Sequence, residues 1–292
     1  MLKSRLCIAF FAFAVGCAPA QKPLTDYVNP MLGTATLWDS VDLGFKPTKR
    51  TWGAEVFPGS SLPNAMVQVS PVTKFHSGAG YQYEDSVIYG FTHTNKGHWN
   101  LCHIPLLPVT GTPTPGDYCS PFSHERESAA PGYYQVFLDR YGVDAQLSST
   151  LRCAFHKYTY PAGAAPAVLA DLQRSNEHVR AWDIRKEGDN VFAGWQQTGE
   201  KMYFYAVANR PVTGIEPVVE GDREVRIVRF GEGDGALELR IGFSFVSEKN
   251  ARENLEAEML GKSFAEVRSE ATATWNDLLG RIRVEGGTER EK

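Results

Sequence analysis

Cysteine is scarce, with five residues in a chain of 292. Two of them, Cys7 and Cys17, fall in the first twenty positions. Cys102, Cys119 and Cys153 remain, so at most one disulfide can form and one thiol stays free. A chain of this length can bury a core without such staples, which favours buried, unpaired thiols. Basic residues are also too few for a nucleic-acid binder: 30 Lys and Arg stand against 34 Asp and Glu, a net charge of −4 with no long basic run. Beyond the N-terminal leader, no apolar stretch approaches the roughly 20 residues that span a bilayer. The nucleophile elbow G-x-S-x-G, the P-loop and the dinucleotide fingerprint are all missing, as are internal repeats. What remains is a globular composition, 42% hydrophobic and 22% charged, enough for one large domain or two modest ones.

The leader reads MLKSRLCIAFFAFAVGCAPA. Lys3 and Arg5 precede a short apolar run from Leu6 to Val15, the layout of an export signal rather than of an anchor helix. Two cleavage routes are legible, one after Ala18-Pro19-Ala20 and one at Ala14-Val15-Gly16-Cys17, a lipobox-like sequence in which Cys17 would carry the lipid. Either removes two basic residues and no acid, leaving 28 − 34 = −6. The expected location is therefore periplasmic or on the outer membrane, with membrane contact only through a lipid anchor.

From about residue 130 to 246 apolar residues recur every second position. In ALELRIGFSF, Leu237, Leu239, Ile241, Phe243 and Phe245 share one face, with Glu238 and Arg240 on the other. Similar runs occupy 133–139, 143–150, 151–160, 167–172, 190–196, 201–208 and 224–230, separated by Gly-, Pro- and Asp-containing turns. Strands at this spacing without helices between them predict an antiparallel sandwich. The period changes after residue 246. Ser247 caps a helix from Glu248 that ends at Gly261, and Ser263 opens a second whose stripe is Phe264, Val267, Ala271, Trp275, Leu278 and Leu279. The assignment is thus 1–20 signal, 21–246 β-sandwich and 247–292 two-helix linker. Ile282-Arg283-Val284 is strand-like, before a polar ending. Trp182 and Trp195, in strand-rich sequence, read as core.

Residues 26–125 are irregular and rich in Gly, Pro, aromatics and His, a composition suited to binding loops on a rigid scaffold. Trp99, between His98 and Asn100 and after Gly97, offers an aromatic face for the C–H side of a pyranose beside donors and acceptors for its hydroxyls. Its alternative is a buried strand-end tryptophan. His93 is either a sugar contact or a hydrogen-bonded structural group. His93, His98, Cys102 and His103 can also be read as zinc ligands, but their spacing matches no compact module, and neighbours Cys102 and His103 point apart on a strand. Gly80 with Tyr81, and Phe57-Pro58-Gly59, are loops that could approach a ligand or simply be turns. Glu55, Glu84, Asp85, Asp117, Glu125 and Glu127 are the local carboxyls, and no motif pairs them for glycosidic cleavage.

Several segments, in order, resemble the N-terminal domain of glycoside hydrolase family 92, exo-acting α-mannosidases of bacteria. They are YVNPMLGT (27–34), FPG (57–59), PNAMVQVSP (63–71), GYQY (80–83), IYGFTHT (88–94) and LPVTG (107–111), then SEKNA (247–251), WN (275–276) and VEGGTE (284–289). The resemblance implies a galactose-mutarotase-like β-supersandwich, a helical linker and an (α/α)6 domain holding the catalytic acids and calcium ligands. It implies a mannose-containing glycan as substrate, and no catalytic residue and no metal in the present chain; the candidate substrate-binding residues, read from their own chemistry, are Trp99, His98, Asn100, His93, Gly80 and Tyr81. The His98-Trp99-Asn100 sequence departs from the Ser/Gly/Thr-rich stretch usual at that point. The rival expectations are a stand-alone carbohydrate-binding lipoprotein and a small metalloenzyme built on the His/Cys cluster.

Overall fold

The computed structural model describes residues 22–36, 44, 56–96, 99–288 and 291. The export signal with Cys17, and also His98 and Glu55, lie outside them. Two antiparallel sheets dominate. One has seven strands, running from Ser60–Ser61 through Gln68–Val72, Gly90–Thr92, Leu106–Val109, Ala167–Ala170 and Arg223–Phe230 to the edge strand Val212–Glu220. The other has eight, ordered Ala181–Gly188, Val191–Gln197, Lys201–Ala208, Leu237–Ser244, Cys153–Thr159, Val143–Ser149, Tyr133–Leu138 and Glu127–Ala130. Every strand pair in both sheets is antiparallel.

The period of two sets which side chains meet between the sheets. Leu237, Leu239, Ile241 and Phe243 join Met202, Phe204, Ala206, Ala154, Tyr158, Leu147 and Val136 in one continuous core with Phe91, Leu107, Leu169 and Ile227 of the facing sheet. The opposite face of the eight-stranded sheet does not meet solvent at its centre. The helices Glu248–Glu258 and Phe264–Leu279 lie on it, and Leu255, Met259, Phe264 and Val267 close over Phe155, Cys153 and Tyr133 in a second core. That is why Cys153–Thr159 is buried on both faces through most of its length. Arg240, predicted on the polar face, donates from Nη2 to the Lys262 carbonyl at 2.8 Å and lies over the Phe155 ring, pinning the turn between the helices.

Local sequence explains both helix starts. Ser247 accepts from the Asn250 N–H, and Ser263 and Glu266 form a reciprocal capping box. Gly242 permits the first helix to dock: a Cβ there would penetrate the Ala251 carbonyl oxygen. The second helix is tied to the N-terminal segment by Asn276, whose Oδ1 accepts from the Thr25 N–H at 3.0 Å, and to the first sheet by Trp275, which donates to the Ser61 carbonyl at 2.8 Å.

Three expectations need correction. Ile282-Arg283-Val284 forms no strand, and Ile282 and Val284 are exposed. Ala181–Gly188 and Val212–Glu220 are strands without a legible alternation, because each is a sheet edge with one flank in water; Pro217 is tolerated for that reason. Trp182 and Trp195 are half-buried rather than core residues: Trp182 is on the edge strand and Trp195 on the strand beside it, with Arg226 over the Trp182 ring and Lys201 over the Trp195 ring. Cys102, Cys119 and Cys153 are all free thiols; burial raises the Cys102 and Cys153 thiol pKa values far above normal, so neither is a thiolate at neutral pH.

Candidate functional site

The loops at one end of the sandwich surround a cleft of about 810 Å³. Residues 173–182 line one wall, and His76, Asp222 and Arg223 complete it. The wall is polar and aromatic together. Trp182 supplies an apolar face, and Gln173, Glu177, Arg180 and Arg223 supply donors and acceptors. Two guanidiniums are fixed in advance. Arg174 lies over the Phe75 and Tyr89 rings at 4.5 and 5.0 Å and donates to the Tyr118 hydroxyl. Arg223 pairs with the fully buried Asp171, which also accepts from Tyr118 at 2.7 Å. Sequence reasoning passed over residues 173–180; the available signal was the polar run Gln173-Arg174-Ser175-Asn176-Glu177, two residues after a four-residue apolar strand.

Of the predicted residues within the described part, Asn100 meets this wall, with Gly80 against it, beneath the surface. Asn176 makes the link: its Nδ2 donates to the Asn100 carbonyl at 2.6 Å, and the Ser175 hydroxyl donates to the Leu101 carbonyl at 2.6 Å. Asn100 is fully buried and spends its side chain internally, on the Ala79 carbonyl and the Cys102 N–H. Gly80 is at φ 76°, and a side chain there would strike the Asn100 amide. Among the described members Trp99 is the one that reaches solvent, 36% exposed on the short hairpin of Asn95–Lys96 and Trp99–Asn100. Tyr81 is buried, and its hydroxyl turns to Glu127 at 2.9 Å.

His93 adopts the structural alternative. It is fully buried, its Nε2 is 2.9 Å from Nε2 of the equally buried His156, and Nδ1 of His156 is 2.6 Å from the Tyr158 hydroxyl. Desolvation lowers the His93 pKa to about 3 and takes His156 well below its usual value, so both rings are neutral. One consistent proton arrangement runs Tyr158 O–H to His156 Nδ1, His156 Nε2–H to His93 Nε2, and His93 Nδ1–H towards the His103 carbonyl. His103 bridges the Thr94 and Thr198 hydroxyls at 2.9 and 3.0 Å, and burial lowers its pKa to about 4 against the opposing pull of Glu177. Among the described residues no three His, Cys, Asp or Glu side chains converge as metal ligands.

Four of the six predicted carboxyls carry structural ties. Glu127 is enclosed by the Tyr81 and Tyr134 hydroxyls and Nδ1 of His124. Glu84 accepts from the Thr36 N–H, Asp85 from the Thr73 hydroxyl, and Asp117 from Arg140. In the cleft wall itself, Glu177 accepts from the Thr198 hydroxyl at 2.7 Å. The arrangement can hold a polyhydroxylated ligand by hydrogen bonds and an aromatic face.

Fold and site together define a two-sheet β-sandwich backed by helices, with a polar and aromatic cleft among its loops. More particularly, the chain belongs to glycosyl hydrolase family 92: the family's N-terminal domain matches residues 27–254, and its catalytic domain matches residues 250–292. A family GH92 alpha-mannosidase from Bacteroides thetaiotaomicron superposes with a TM-score of 0.78 at 25% identity, over 91% of this chain and 39% of its own. The same protein has been solved in complex with mannoimidazole. A GH92 inverting mannosidase of that organism gives a TM-score of 0.75 at 25% identity, over 91% of this chain and 37% of its own. An uncharacterized secreted glycosidase of Arthroderma benhamiae is 24% identical over 89% of this chain and 38% of its own length. The chain thus spans under two-fifths of the length of these relatives.

Proposed function

We propose that this chain is the pocket-shaping sandwich of an exported, calcium-dependent α-mannosidase that removes terminal mannose from glycans with inversion. The observation that carries the reading is the polar-aromatic cleft at the loop end of a GH92 sandwich, in a family whose solved members include an inverting mannosidase and a mannoimidazole complex. Inverting hydrolysis needs one carboxylic acid to protonate the leaving oxygen and one carboxylate to activate water, about 6.5–9.5 Å apart. Of the carboxyls at the cleft, Glu177 is tied to the Thr198 hydroxyl while Asp222 borders it, and no motif pairs them as acid and base, so the role proposed for this chain is to bind and orient the sugar. Calcium is assigned, as the family resemblance implies, to the helical domain that holds the catalytic acids.

The test is a titration of the chain with methyl α-mannoside, read by amide chemical shifts, beside a hydrolysis assay with added calcium. Binding shifts confined to residues 74–82, 99–103 and 173–182, with no turnover, are expected. Enzyme-like turnover by this chain would overturn the assignment of chemistry elsewhere. Export and a lipid on Cys17 belong to the same proposal, supported by the leader sequence and the secreted relative. Metabolic labelling with palmitate should mark the wild type and not Cys17→Ala; equal labelling of both would remove the anchor.

A further inference from the structure

The described residues with left-handed backbone that are not glycine are Asn64, His76, Cys102 and Ile104, at φ 58°, 61°, 52° and 53°. Three of the four lie at the loop end. Such a conformation is uncommon outside glycine and strained, most for a β-branched residue such as isoleucine and less for histidine and asparagine. Each of these three has its N–H captured by a side-chain amide, from far along the chain for His76 and Ile104 and from two residues away for Cys102. The His76 N–H donates to Asn176 Oδ1 at 2.6 Å, the Cys102 N–H to Asn100 Oδ1 at 2.7 Å, and the Ile104 N–H to Gln196 Oε1 at 2.8 Å.

The amides have no exposed work to do. Asn100 and Gln196 are fully buried and Asn176 is 9% exposed. Their NH2 groups go on to tie the same loops together: Asn176 to the Asn100 and Ser77 carbonyls, Asn100 to the Ala79 carbonyl, and Gln196 to the Leu172 and Arg174 carbonyls. The outcome is a lattice joining the His76 loop, the Trp99 hairpin and the cleft wall. Cys102 and Ile104 point their side chains into the interior, where packing accounts for them. His76 is different. Its side chain is exposed and lines the cleft, so no buried contact rewards the strain of its backbone.

We propose that His76 is a ligand-contacting, specificity-determining residue of the cleft, and that Asn176, with Asn100 and Gln196, is a positioning residue holding it in a binding-ready conformation. This rests on the reading of the cleft as a mannoside wall. The imidazole has one donor and one acceptor when neutral, which matches a pair of neighbouring sugar hydroxyls. Holding it rigidly in the free protein removes an ordering cost on binding.

Glycine adopts φ > 0 without strain, so His76→Gly separates the two roles. In the full chain, His76→Gly should melt about 2–4 °C higher, through relief of strain. The same variant should bind methyl α-mannoside about tenfold more weakly, the loss of a hydrogen-bonding side chain. His76→Asn, which tolerates the left-handed backbone and keeps a donor and an acceptor, should bind more tightly than His76→Gly. Asn176→Leu should lose binding as well, but it can disturb folding, so the glycine variant decides. If His76→Gly binds as the wild type does, while the wild type shifts cleft resonances on titration, this inference fails and the cleft reading survives. If the wild type shows no cleft shifts at all, the cleft reading fails and takes this inference with it.

Discussion

The two ends of this protein's architecture use opposite kinds of glue. In the sandwich and its helical cover, apolar side chains fill the gaps: Phe155 is enclosed between sheet and helix, and its ring meets Phe264 edge-on at 5.2 Å. At the loop end, buried hydrogen bonds do the fastening, through Asn100, Asn176, Gln196, His103 and the His93–His156 pair. The difference teaches that stability and recognition are separable here. An apolar core tolerates any sequence with the right pattern and volume, whereas a polar lattice depends on each donor meeting its acceptor and so fixes loop shape exactingly.

Substitutions and pH can break or sharpen that contrast. The largest effect belongs to the apolar half: Phe155→Ala should cost about 3–5 kcal/mol by emptying the joint between sheet and helices, read by chemical denaturation. A loss under about 1 kcal/mol would mean that the helices contribute little to holding the sheet. Acid should strike the polar half next. His93, His103 and His156 have folded-state pKa values depressed by burial, His93 to about 3 and His103 to about 4. An unfolded chain takes up these protons as pH falls below about 6.5, while the folded chain resists. Their contribution is therefore complete above that pH and lost progressively on acidification towards the folded values. The melting temperature should fall steadily over this window, and a flat profile from pH 7 to 4 would contradict neutral, buried imidazoles. Smaller still, Ser263→Ala should remove the capping box and cost about 1 kcal/mol of stability. At the bottom of the scale, Trp99→Ala should change stability by no more than about 0.5 kcal/mol, as expected for an exposed side chain. It should nonetheless weaken methyl α-mannoside binding; unchanged affinity in the titration would take Trp99 out of the site.

The candidate site was partly legible. Trp99 was visible because a large aromatic in polar, Gly-containing sequence has no core to enter. Gly80 and Asn100 were found together, yet what links them is steric: the glycine makes room for the amide. Asn176 and Gln196 were not found, because an amide in a loop and one in a strand look ordinary until the chain brings Leu101 and Ile104 against them. His76 carried no signal either, since the side chain that meets its left-handed backbone, Asn176, lies a hundred residues away.

Taken alone, the sequence determined the alternating strands, the switch to helical period at Ser247 and both helix caps, because these depend on neighbours a few residues apart. Tertiary structure alone decided that Arg240 faces a helix turn rather than water, that Trp182 borders a cleft, and that His93 pairs with His156. Each of those depends on which distant segments are pressed together. Local periodicity gives a side chain's face; only the assembled layers say what lies on it.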